Sequence, residues 1–451
     1  MEKGTGRVRI AVSLALMDAG ESTRALELCG GIREYAPEGS SAEIVFFSNG
    51  GDFEKKVSDR GFGILRIAPR LEGTGFYSDL RPTANNFVGD SELARALLEG
   101  ELRALREYRP DFVLYGFWPF ASLARRMVRP QIPGVCFLPI PFEERIYSSG
   151  LMKDVPDQIR PLTYLPTGLR RALMRALPAP VKRKAPILRQ KLLLDAAHRC
   201  GWDGPTLHNL FDMMRADLTV VNDLPLFYQG MQIPPDFHIT GPLYSRPERE
   251  DTPDPEILRV MENRGDGKLK LFCSMGSSGR KSSLLEAVKA IAALPEDRFS
   301  AVILVPKAVC PIEEVRPYAA GRSNLFLTDR FVPAKLVNGL ADLVVSHGGQ
   351  GTVQTALSCG TPIVGVAMQP EQQINLDHAV RNGACIRIPM PRWREKPIRK
   401  AILKIAGDAA YRRSAEALAA RMEPLDGRAE SARVIWNFIG NRENGSGEMK
   451  K

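Results

Sequence analysis

Leu343-Val344-Val345-Ser346-His347-Gly348-Gly349-Gln350-Gly351-Thr352-Val353-Gln354-Thr355-Ala356-Leu357 is the stretch on which the fold turns. Its opening residues form a short strand rich in β-branched side chains, and from Val353 onward the composition is that of a helix. The glycines between them mark a strand–turn–helix junction. Gly348, Gly349 and Gly351 let the backbone come close to a ligand and present successive N–H groups, while the amino terminus of the helix adds partial positive charge. His347, at the lip of the turn, adds a donor for a phosphate oxygen. The group expected in this cradle is a diphosphate.

Short apolar runs of Val, Ile and Phe recur on either side of this junction with helical patterns between them. They are Val8–Leu14, Glu43–Phe47, Ile64–Ile67, Phe112–Tyr115, Val135–Leu138 and Leu218–Val221, then Leu269–Cys273, Ala301–Val305, Leu325–Leu327, Leu343–Val345, Ile363–Val366 and Cys385–Ile388. Strands alternating with helices over a whole chain predict parallel sheets covered by helices on both faces. Two such series predict two Rossmann-like, doubly wound domains. A charged, proline-rich stretch from Ser245 to Pro255 has the composition of a linker. The expected division is 1–244 with a basic insert at about 159–200, a linker at 245–267, a second domain at 268–427, and a closing helix and polar tail at 428–451.

A chain of 451 residues exceeds one ordinary hydrophobic core, and 44% apolar with 25% charged residues is usual for a globular protein. No apolar run is long enough for a membrane span, and Ile10 to Met17 fits a first buried strand better than a leader, so the expected location is cytoplasmic. The seven cysteines are scattered singly, which argues for reduced thiols and against zinc or disulfides. The net charge of +10 is concentrated: residues 159–199 hold ten Lys or Arg and one acid, Asp195.

The order His347-Gly-Gly-x-Gly-Thr352, Gly360-Thr361-Pro362, then Glu371-Gln372-Gln373-Ile374-Asn375 resembles the nucleotide-sugar signature of GT-B glycosyltransferases. It is most similar to the family-one, UDP-glycosyltransferase-like group of bacterial type. The resemblance implies two Rossmann-like domains facing a central cleft, with the closing helix returning to the first. It implies that Ser277 and Ser278, in Ser274-Met275-Gly276-Ser277-Ser278-Gly279, lie over the diphosphate beside His347 and Thr352. Phe331 falls where relatives stack an aromatic on the nucleobase, with the Val332 backbone beside the base edge. Glu371 and Gln372 fall where relatives hold sugar hydroxyls. Thr355 stands where many UDP-sugar enzymes have a ribose-binding glutamate, so UDP and dTDP both stay open. The chain contains no Asp-x-Asp pair. The charge of the leaving group is then to be met by backbone N–H groups, helix termini and His347, without metal or cofactor.

Relatives carry a histidine base, or in some bacterial members an aspartate, after a glycine in the first strand–helix turn, and an aspartate elsewhere that orients the histidine. Here that turn reads Asp18-Ala19-Gly20-Glu21-Ser22-Thr23-Arg24, with Glu21 at the position of the base, and Gly116 stands where the aspartate would align. A carboxylate base needs no partner to fix a tautomer. Glu21 is therefore the expected base and Asp18 the alternative, provided burial raises the pKa of Glu21 against the helix terminus and Arg24. Aromatic residues at Phe76-Tyr77, Phe117-Trp118, Phe142 and Tyr147 suit an apolar acceptor. In Leu169 to Leu177 the apolar residues share one helical face and the arginines another; this helix either covers the first domain or lies peripherally on an anionic membrane. Nucleic acid is not expected.

The function expected is an inverting, metal-independent transfer of a sugar from a UDP- or dTDP-sugar to a hydroxyl of a largely apolar small molecule or lipid. The alternatives are a non-catalytic nucleotide-sugar-binding helper and a GT-B sugar-nucleotide epimerase.

Overall fold

The structure, a computed structural model, describes residues 6–72, 76–157, 159–182, 188–244, 254–276, 279–307, 309–330 and 332–448. The chain divides into two compact units. The first comprises residues 1–149, 178–245 and 426–451, the second 150–177 and 246–425.

The first unit is built on a wholly parallel seven-stranded sheet. Its strands are β1 (Gly6–Ser13), β2 (Ser40–Ser48), β3 (Gly63–Arg66), β4 (Phe112–Tyr115), β5 (Gly134–Leu138), β6 (Leu218–Val221) and β7 (Phe237–Ile239). Their order is β3-β2-β1-β4-β5-β6-β7. The central strands β4, β5 and β6 are buried along their whole length, as the unbroken apolar runs predict for strands covered on both faces. The order reverses between β1 and β4, whose ends pair Ser13 with Tyr115. At such a point the following helices leave on opposite faces and open a crevice beyond the carboxyl ends of the strands. The Gly427–Glu448 helix packs against the Ala19–Glu34 helix within this unit. Trp436 donates to the Ile32 carbonyl at 3.0 Å, and Arg428 reaches Glu27 at 2.6 Å across Gly30 and Gly31, where any Cβ would strike its side chain.

The second unit repeats the plan with six parallel strands: β8 (Leu269–Ser274), β9 (Phe299–Leu304), β10 (Leu325–Thr328), β11 (Leu343–Ser346), β12 (Ile363–Gly365) and β13 (Cys385–Arg387). Their order is β10-β9-β8-β11-β12-β13, with the reversal between β8 and β11, where Ser274 pairs with Ser346. All twelve expected strands are present; β7 is the additional one.

The sequence-based divisions need three corrections. The Pro255–Glu262 helix lies inside the stretch read as linker and buries Ile257, Val260 and Met261. The closing helix continues to Glu448 through residues read as tail. Gly150–Leu177, counted with the first domain from the sequence, belongs to the second unit. The reason is ionic. Asp154 and Asp157 accept from Arg387 at 2.6 and 2.7 Å, Asp377 accepts from the same guanidinium at 2.9 Å, and Arg170 forks onto Asp154 at 2.8 and 2.9 Å. Gln373 adds bonds to the Asp154 and Val155 carbonyls and to the Asp157 N–H. Every one of these side chains is buried.

Candidate functional site

Each unit places its chemistry at its own strand reversal. In the second unit β11 ends at Ser346, and Gly348 turns the chain with φ +83° while its N–H bonds the Ser346 hydroxyl at 3.2 Å. A Cβ there would lie 2.8 Å from the Gln372 carbonyl, so only glycine fits. Gly349 then begins the Gln350–Ser358 helix without a side-chain cap. The N–H groups of Gly351 and Thr352 have no protein acceptor among the described residues, and a Cβ at Gly351 would meet only open space. Thr352 is half-exposed on the same turn.

His347 is buried at 5% exposure. Its imidazole lies between two backbones: a Cβ at Gly276 would fall 2.6 Å from Nε2, and one at Gly349 2.5 Å from the same atom. Gly276, at φ +61°, follows β8, so the loops after β8 and β11 both lack side chains where they enclose the ring. An imidazole fixed beside two open N–H groups at a helix amino terminus is suited to an oxyanion.

The other residues singled out in the second unit divide. Glu371 opens the Pro370–Arg381 helix and accepts from Asn375 at 2.5 Å, while the same Asn375 amide bonds the Gly348 carbonyl at 3.0 Å. Asn375 thereby ties the half-buried Glu371 to the glycine turn, a role that its place in the motif did not reveal. Gln372 is buried at 2%, and its oxygen accepts from the Met368 N–H at 2.9 Å. Val332 is buried, and the Thr355 hydroxyl is spent on the Gly351 carbonyl at 2.7 Å. Ser277, Ser278 and Phe331 lie outside the described residues. Among the described residues no group of three or more His, Cys, Asp or Glu is placed to hold a metal ion.

In the first unit Asp18 caps the Ala19–Glu34 helix, accepting from the Glu21 N–H at 3.0 Å. The half-buried Glu21 side chain turns away from its own helix, and its Oε1 accepts from the Phe117 N–H beyond the end of β4. Gly116 makes this possible, because a Cβ there would sit inside the Glu21 carboxylate. The missing aspartate near position 116 thus has a steric explanation: Glu21 itself occupies the space. Burial raises the pKa of Glu21 from an ordinary 4.5 to about 7, the Asp18 charge adds to this, and the Phe117 N–H and Arg24 oppose it.

A second carboxyl group, not singled out from the sequence, lies behind the first. Glu101 is 1% exposed and accepts from the Ser13 hydroxyl at 2.5 Å and the Trp118 indole at 2.9 Å. Burial lifts its pKa to about 7 against those two bonds. Its signal was present: in the Ser91–Tyr108 helix Glu101 stands four residues from both Leu97 and Leu105, on the apolar stripe. Trp118 is core at 1% exposure, whereas Phe117 and Phe142 are half-buried and meet edge to face at 5.3 Å. Phe142 stacks on Phe211 at 4.4 Å, and Tyr147 follows at 5.7 Å. A chain of half-buried rings therefore leads from the Glu21–Phe117 bond. The side chains of Phe76 and Tyr77 lie outside the described residues.

Comparison with known proteins agrees with this plan. Residues 322–432 match the erythromycin biosynthesis protein CIII-like family, C-terminal domain. The whole chain is similar to the crystal structure of glycosyltransferase VinC in complex with dTDP, with a TM-score of 0.62, 15% identity, and coverage of 96% of this chain and 100% of that one. The chain has the GT-B fold. Its sequence is also similar to a PGL/p-HBAD biosynthesis glycosyltransferase of Mycobacterium tuberculosis, 25% identical over 50% of this chain and 47% of the relative. A PGL/p-HBAD biosynthesis rhamnosyltransferase of Mycobacterium bovis is 23% identical over 72% of this chain and 66% of the relative. The match to the first of these relatives spans about half of its length.

Proposed function

We propose that this GT-B protein transfers a sugar from a nucleoside diphosphate to a hydroxyl on a largely apolar acceptor, with inversion at the anomeric carbon. The observation that carries the reading is His347, lodged between Gly276 and Gly349 at the head of an uncapped helix. This cradle receives the diphosphate, and Glu371 receives a sugar hydroxyl. The Gln372 oxygen is already engaged by the Met368 N–H, so its side chain braces the start of the helix that carries Glu371.

In the first unit Glu21 takes the proton of the acceptor hydroxyl as the oxygen attacks the anomeric carbon. The new C–O bond forms as the bond to the diphosphate breaks, the electron pair leaves with the diphosphate, and Glu21 ends as a carboxylic acid. Asp18, tied to the helix as its cap, keeps the Glu21 pKa high instead of serving as the base. The rings of Phe117, Phe142, Phe211 and Tyr147 form the apolar surface for the acceptor. The growing negative charge on the diphosphate meets the open N–H groups of Gly351 and Thr352 together with His347, an arrangement that needs no divalent cation.

Thr355 offers the ribose no carboxylate to accept from both of its hydroxyls, and its own hydroxyl proton is donated to the Gly351 carbonyl. We therefore favour a deoxyribose donor, dTDP over UDP, in keeping with the nucleotide held by the VinC structure. A panel of UDP- and dTDP-sugars tested for thermal stabilisation checks this, because a ligand bound only by the native state raises the melting point. A dTDP-sugar should stabilise the protein and His347→Ala should lose the effect. Stabilisation by no activated sugar, or equal stabilisation of the His347→Ala protein, would overturn the reading.

A further inference from the structure

Ten large apolar side chains stand exposed among the described residues, and five of them fall within the nineteen residues from Ile159 to Leu177: Ile159, Tyr164, Leu169, Leu173 and Leu177. The cause lies in the buried ion cluster. Arg170 is drawn inward onto Asp154, so the Thr167–Ala176 helix buries Arg170 and Met174. At 100° per residue, Leu169 and Leu173 then lie to one side of the outward direction and Arg171 and Arg175 to the other, while Leu177 follows the helix as its exposed, extended C-cap. Between the two rows stand Gly168, Ala172 and Ala176, all small and all exposed. An ordinary surface helix turns its leucines inward. This one presents them beside its cations.

The charge of the segment is of one sign. Its only carboxylates between Gly150 and Leu177, Asp154 and Asp157, are both buried and engaged, which leaves Arg160 and Arg175 exposed without an acidic neighbour in the segment, while Arg171 is half-buried with its Nε enclosed. Arg160 and Tyr164 also line a cavity of about 280 Å³ together with Arg280, Ser282 and Arg394. None of these three arginines forms an ion pair among the described residues. A surface of exposed leucines and a tyrosine, small residues at the apex, and a cavity framed by guanidinium groups that form no ion pair among the described residues is complementary to phosphate headgroups above an acyl layer.

We propose that the Gly150–Leu177 segment docks the protein on an anionic lipid surface. Leu169, Leu173 and Leu177 enter the headgroup–acyl boundary, Arg175 lies along the phosphates, and the Arg160–Arg280–Arg394 cavity takes one headgroup. The inference does not rest on the transferase reading, and its test needs no donor.

The full chain is sedimented with vesicles of phosphatidylcholine alone and of phosphatidylcholine with equimolar phosphatidylglycerol. Binding should require the anionic lipid and weaken with salt. Arg160→Gln and Arg175→Gln should each weaken it about fivefold. Leu169→Ser with Leu173→Ser should abolish it with an unchanged melting temperature, since both side chains are already exposed. No sedimentation with anionic vesicles at low salt would overturn the proposal, as would binding indifferent to both sets of substitutions. Sedimentation velocity showing a dimer that the leucine substitutions dissociate would overturn it too, by assigning the face to a second copy of the chain.

Discussion

Replacing Glu21 with glutamine isolates the titration of one carboxyl group from the geometry around it. The amide oxygen can still accept from the Phe117 N–H, and the space against Gly116 stays filled. What disappears is the proton. A shift from 4.5 to about 7 means that ionising Glu21 in the folded protein costs up to about 3 kcal/mol more than in the unfolded chain. The folded pKa is the raised one, so the penalty is absent below the unfolded value and complete only above the folded one. Glu21→Gln should therefore gain about 2 kcal/mol of stability relative to the native protein between about pH 5.5 and about pH 8.5, an upper figure because the group is half-buried. Hydrogen exchange of peptides around residues 112–118 would read this. Catalysis should move the opposite way. The native rate of sugar transfer should rise with pH through an inflection near 7, and the variant should be roughly 10²–10⁴-fold slower with that inflection gone. A variant that transfers at the native rate, or keeps the native pH profile, would show that Glu21 is not the base.

Two further outcomes test other parts of the structure. Gly276→Ala, which sets a methyl group against the His347 ring at a positive φ, should weaken binding of the stabilising activated sugar about ten- to a hundredfold in calorimetry, the loss expected for one hydrogen bond to a charged group. Arg387→Met should destabilise the second unit by about 3–5 kcal/mol, because it leaves Asp154, Asp157 and Asp377 buried without their shared cation. Burial already raises the pKa of Asp157 and Asp377, and losing Arg387 raises both further, so the deficit should grow as pH rises above the unfolded carboxyl range and shrink toward acid. Faster exchange in peptides spanning 150–177 would report it.

The parts legible in the sequence are those with a local cause. Unbroken apolar runs marked twelve strands, while β7, only Phe237-His238-Ile239, is too short to show any period. The glycine turn was legible because Gly348 answers a positive φ that few other residues tolerate. The position of Glu21 could be read from its turn, but the carboxylate's path across Gly116 could not, since that contact joins residues 21 and 117. Least visible was the attachment of Gly150–Leu177. Asp154 and Arg387 are 233 positions apart, and nothing near either residue announces the pair. The same pairing decides the outward face of the Thr167–Ala176 helix, because a composition of leucines and arginines does not say which row is buried until Arg170 has a partner.

The ion cluster raises the question of why a charged joint persists where apolar packing would be no less stable. Arg387 and Arg170 together meet three carboxylates, and one oxygen of Asp377 is left without a hydrogen bond, so the cluster is not fully satisfied. A buried network of this kind is weak evidence for stability. Its geometry, however, is exacting. The guanidinium of Arg387 places Nε, Nη1 and Nη2 on three different aspartates, while Asp157 also accepts from the Met390 N–H at 2.9 Å and Gln373 clasps the backbone at 154, 155 and 157. Gln373 is the immediate neighbour of Gln372 on the helix that Glu371 opens, and Asn375 of that helix bonds the carbonyl of the glycine turn at Gly348. A shift of the Gly150–Leu177 segment would therefore act on the helix that carries Glu371 and, through Asn375, on the turn that holds His347. Apolar side chains could bury the same area but would permit sliding. Directional charge fixes the register of that helix against its strap, and this ties the Gly150–Leu177 segment to the glycine turn through the Pro370–Arg381 helix.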